Sequence, residues 1–170
     1  MTARLLSGAI LSLSLVAAQA QRGSLAAAKV AEAKSTIGAI SRAAVAAYER
    51  ETFPPPGHQL CKSSIRVPDV PPRGTKYTPK SADGADFNTG SDTTGWKSLK
   101  FALTEPIYYA YKYETGSGSG KSGATASGFE VAAQGDLNGN GVFSFFARGA
   151  DVRNGNVVLS TEVYIENEYE

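Results

Sequence analysis

The sequence predicts an α+β fold, a long N-terminal α-helix packed on a four-stranded antiparallel β-sheet meander. Three observations predict it. The first fifty residues are rich in Ala, Leu and Ser, and their apolar positions recur at spacings of three and four. Most of the aromatic residues come later, in runs punctuated by Gly and Pro. Within those runs lies Asn154-Gly155, a pair that readily takes the positive φ angles of a two-residue hairpin turn. At 170 residues the chain has room for one sizeable core. Its 17 Lys and Arg nearly balance its 16 Asp and Glu, so no global field favours nucleic acid or an anionic membrane.

Residues 1–23 combine one early cation, Arg4, with a run of apolar and small residues and then Ala18-Gln19-Ala20. This pattern has two readings, a secretory signal peptide cut after Ala20 or a degenerate N-terminal membrane segment. Both predict an exported chain. Residues 24–51 read as an Ala-rich helix, with Val30, Ala33, Ile37, Ile40, Ala44 and Ala47 on one face. Lys29, Glu32, Lys34, Arg42 and Glu49 fall mostly off that stripe. Small stripe residues let the helix lie close to another surface, either its own sheet or neighbouring copies of the chain. Pro54-Pro55-Pro56 prevents its continuation.

Residues 52–99 read as an irregular connection rich in Pro and Gly, pinned to the core by Phe87 and Trp96. Residues 100–170 read as an antiparallel sheet. Its strands are expected in LKFALTEPIYYAYKYE, GFEVAAQGDL, GVFSFFARGADV and VVLSTEVYIENEYE. Pro106 suggests an edge position or a bulge in the first of these. A lone sheet with an apolar face must bury it, and the helix is the available cover.

The residues that could carry chemistry are few. Cys61 and His58 are the only residues of their kinds, which excludes an intramolecular disulfide and a Cys/His zinc cluster within one chain. They sit three residues apart near the triple Pro, with no third group in view to orient a base. Gly118-Ser119-Gly120-Lys121-Ser122 resembles the end of a phosphate-binding loop, but Thr115 stands where the motif needs its first Gly and a strand follows instead of a helix. It is read as a flexible hairpin loop. Glu162, Glu166, Glu168 and Glu170 alternate along the last strand and are read as a solvated face. No catalytic set emerges, and the chain is read as a non-enzyme.

One metal-site candidate remains. Gly135–Phe146, GDLNGNGVFSFF, places Asp136, Asn138, Asn140, Gly141 and the Val142 carbonyl as a calcium loop would. The position that should supply a bidentate Glu is Ala147, and two of the three side-chain ligands are neutral amides. A structural turn is read ahead of a calcium site, and any calcium affinity is expected to be weak. No other cofactor is expected.

AKVAEAKSTIGAISRAAVAAYERE, residues 28–51, resembles the later part of the N-terminal helix of type IV pilins and pseudopilins. GDLNGNGVFSFFARG resembles a strand–turn–strand of some pilin-like proteins. The chain departs from that family in having no Gly–aromatic leader site and no Glu before Glu32. The leader is expected either upstream or lost, with signal-peptidase cleavage at Ala20 as the alternative. The resemblance implies a pilin-like fold and a structural subunit of a type IV pilus or type II secretion pseudopilus. It implies partners in other pilin subunits, through the N-terminal helix, and in the inner-membrane assembly machinery. It implies inner-membrane anchoring before assembly, then a periplasmic or extracellular filament. Neither nucleic acid nor a small-molecule substrate is expected. The alternative function is a soluble secreted or periplasmic binding domain whose pilin-like head does not polymerise.

Overall fold

The computed structural model describes the backbone of residues 7–50 and 57–170, and side-chain environments from residue 25 onward. Helix α1, Ser7–Glu49, is continuous. It begins at Ser7 and not at residue 24, because Leu, Ile and Ala sustain helix on both sides of Gly23. One Gly costs about 1 kcal/mol relative to Ala, too little to break such a run. The triple Pro expected to stop the helix lies outside the described residues, and α1 ends before it, at Glu49.

The predicted stripe is the buried face. Val30, Ala33, Ile37, Ile40, Ala44 and Ala47 are all buried in the core. They pack against a sheet of β1 (Ala110–Thr115), β2 (Gly128–Gly135), β3 (Ser144–Arg153) and β4 (Asn156–Leu159), antiparallel and in sequence order. Tyr111, Tyr113, Phe129, Val131, Ala133, Phe146 and Ala150 alternate along the strands, as a period of two requires of one covered face. The register pairs Tyr111 with Ala133 and Ala133 with Phe146, so large and small side chains meet beneath the helix. Asn154 and Gly155 both have positive φ, 51° and 76°, in the predicted two-residue turn.

Two strand expectations need correction. The first strand does not start near residue 100, because Pro106 lacks an N–H and Lys100 adopts a left-handed conformation. Instead Ile107 exchanges a pair of hydrogen bonds with Tyr77, and the extended strand begins at Ala110. The last strand is divided. After β4 the chain bends through residues 160–163 and resumes as β5, Tyr164–Glu166, which pairs with Phe145–Ala147 on the same edge of β3.

Residues 57–99 are mostly irregular. They contain a 3₁₀ turn, Asp86–Asn88, and a short helix α2, Gly95–Leu99. Phe87 and Trp96 are buried edge to face with centroids 4.8 Å apart, and the Trp96 indole donates to the Ile65 carbonyl at 3.0 Å. The segment also lines β1, where Ser64 and Val67 donate backbone N–H groups to Tyr113 and Tyr111. Proline-rich chain therefore covers much of an edge that would otherwise expose unpaired donors and acceptors.

Candidate functional site

The calcium-like stretch connects β2 to β3. Its Asp136 is 1% exposed, held by backbone bonds from Gly74 to its carbonyl and from its own N–H to Pro72. One carboxylate oxygen accepts the N–H groups of Gly139 at 2.6 Å and Asn140 at 3.1 Å, and the other accepts that of Gly141 at 2.8 Å. Gly139 and Gly141 supply the positive φ angles, 77° and 91°, that turn these amides inward. The side-chain oxygen of Asn138 accepts the Asn140 N–H, and that of Asn140 accepts the Val142 N–H. The oxygens the motif would offer to a cation thus serve the loop's own amides, as Asx turns do.

This donor set fits a metal poorly as it stands. Asp136 has no unsatisfied carboxylate oxygen, and among the described residues no three His, Cys, Asp or Glu side chains group as metal ligands. One contributor escaped the sequence reading. Glu170 accepts from the side-chain amides of Asn138 and Asn140, at 2.6 and 2.8 Å. It brings a carboxylate to the loop from the far end of the chain, in place of the one absent at Ala147.

The acidic tail is not a solvated face. Glu166 pairs with Lys121 of the β1–β2 loop, Glu168 with Lys34 of α1 at 2.6 Å, and Glu170 with the β2–β3 turn. Glu162, by contrast, is exposed. Only Glu166 lies in a strand; Glu162 sits in the bend before β5, and Glu168 and Glu170 follow the left-handed Asn167 in the turn after it. The four therefore do not share one strand face, and three of them meet partners elsewhere in the molecule. The bond from Lys121 holds the Glu166 carboxyl below its ordinary range, and the same contact raises the Lys121 amine.

The loop resembling a phosphate cradle is tethered and holds an anion from its own chain. Glu130, 3% exposed on β2, accepts the N–H of Ser119 at 2.9 Å, its hydroxyl at 2.8 Å and the N–H of Ser122 at 3.4 Å. Cys61 and His58 engage different partners. The buried Cys61 offers its carbonyl to the Tyr113 hydroxyl, while His58 stacks on Tyr48 with Nδ1 3.1 Å from the Tyr48 carbonyl. Each has a packing role that needs no nucleophile or base.

Helix α1 is therefore the functional candidate that the fold displays most openly. Glu32, at the margin of its stripe, accepts the Tyr108 N–H and the Tyr111 hydroxyl and fixes the helix to β1. Among the described side chains, burial on α1 begins at Val30, and Leu25 is 58% exposed. Some 35 Å of helix, at about 1.5 Å per residue, precedes Val30. Among the described residues no helix is long and apolar enough to cross a membrane. No protein-family model, curated protein or solved structure matches this chain.

Proposed function

We propose that the chain is an exported, pilin-like structural subunit of a type IV pilus or type II secretion pseudopilus. The observation that carries this reading is the division of labour along one unbroken helix. The stripe from Val30 to Ala47 is used up by the subunit's own sheet. The preceding Leu- and Ala-rich length is helical from Ser7, and we assign to it the packing against the same segment of other copies. Its small residues suit close helix–helix approach in an assembly. In that arrangement the irregular segment, the Gly/Ser loop and the acidic tail face outward with the head.

Mass spectrometry of the mature protein from its own cell tests the reading. Peptides that retain residues on the N-terminal side of Gln21 are the expected result. A mature chain beginning at Gln21 overturns it, because most of the packing segment would be gone. That result would favour a secreted domain that does not polymerise.

A further inference from the structure

We propose that residues 116–122 form a strap with two separately releasable anchors, lying along a small open cavity on the outer face of the sheet. The inner anchor is Glu130. Its buried carboxylate gathers the amides of Ser119 and Ser122 and the Ser119 hydroxyl. Charged acceptors hold such bonds more strongly than neutral ones. The outer anchor is Lys121, which reaches Glu166 on β5 and lies over the rings of Phe145 and Tyr164, 5.3 and 5.5 Å from their centroids. That anchor is exposed to solvent and to salt.

The backbone is built for these anchors. Gly116, Gly118 and Gly120 all have positive φ. A Cβ on Gly118 would stand 2.6 Å from the Glu130 Cβ, so only glycine lets the strap lie on its anchor. Beside it is an open cavity of about 160 Å³ lined by Arg66, Lys112, Gln134 and Phe145, with Gly118 and Ser119 of the strap in its wall. Lifting the strap takes Gly118 and Ser119 out of that cavity's wall and widens it. Releasing the outer anchor alone frees the tip at Lys121 and leaves Gly118 and Ser119 in place.

Limited trypsin digestion of the full chain reads the two anchors, because Lys121–Ser122 is a cleavable bond within the strap. The wild type is expected to be cut there slowly at low salt and about two- to fivefold faster at high salt. Glu166→Gln is expected to be cut at the high-salt rate whatever the ionic strength. Glu130→Gln is expected to be cut at least about tenfold faster at any salt. Hydrogen exchange at the Ser119 amide should rise in Glu130→Gln and stay slow in Glu166→Gln. Gly118→Ala keeps Glu130 and lifts the strap sterically, so it should match Glu130→Gln. Wild-type Trp96 fluorescence would show that each variant remains folded; if Glu130→Gln fails that check, Gly118→Ala carries the test. Wild-type cleavage and exchange in a folded Glu130→Gln or Gly118→Ala overturn the inner anchor. A salt response unchanged by Glu166→Gln overturns the outer one.

Discussion

The two faces of the sheet are held by different forces. The inner face is apolar and periodic: the small stripe of α1 lies on tyrosines, phenylalanines and valines that are almost entirely buried. The outer face and the ends of the sheet are held by individual carboxylates, each collecting amides or an ammonium from a loop. Glu130 holds the β1–β2 strap, Asp136 holds the β2–β3 turn, and Asp151 accepts the N–H and hydroxyl of Thr125 at 2.8 and 2.9 Å. Burial on the inner face is shared among many contacts, whereas the outer face depends on single groups. The inner face should therefore fail as a unit, and the outer face should come apart piece by piece.

Alkali should produce the largest effect. Burial is the first cause pushing the Tyr109, Tyr111 and Tyr113 phenols well above the usual tyrosine range. A raised folded value favours the neutral form, so its stabilisation is fully present below about pH 10 and is lost as pH rises toward the folded values. Phenolate absorbance of these tyrosines is expected to appear together with loss of Trp96 fluorescence. Titration of all three with Trp96 still native would show that the inner face is not a unit. Next in size, Ile37→Ala should cost about 2–5 kcal/mol in urea unfolding, since the site is fully enclosed. A loss below about 1 kcal/mol would mean that the helix can be peeled from the sheet.

On the outer face, Asp136→Ala should cost about 1–3 kcal/mol by stranding the amides of Gly139, Asn140 and Gly141. Calcium should stabilise the wild type little or not at all. Sub-micromolar binding by calorimetry, lost in this variant, would show instead a metal loop that Glu170 completes. Glu168→Gln should cost less than about 1 kcal/mol, because the pair with Lys34 is partly exposed. That loss should shrink at high salt, and an unchanged loss would assign it to packing.

The same contrast explains what could be read from sequence. A stripe such as Val30-Ala33-Ile37-Ile40 advertises its period, and Asn154-Gly155 advertises its turn, so the helix face and the last hairpin were legible. The start of α1 was not, because Gly23 resembles a boundary and only the flanking helix formers overrule it. Division of the last strand at residues 160–163 depends on where β3 offers partners, a long-range fact. Asp136 was visible as a turn residue, but Glu170 was not. Its meeting with Asn138 and Asn140 spans chain segments that no local pattern connects. Glu130 sat in a strand pattern, where an outward carboxylate looks solvated until a loop folds back over it.

The proposed assembly through the early part of α1 can be tested by position-specific crosslinking. Leu25 is exposed on the helix and Val70 is exposed on the head, while the native Cys61 is buried. Each exposed site is replaced by Cys in the full chain, expressed in its own cell and mildly oxidised. Leu25→Cys is expected to give covalent dimers between copies, and Val70→Cys is expected to stay monomeric. Equal crosslinking at both sites, or none at Leu25→Cys, would contradict assembly through the helix.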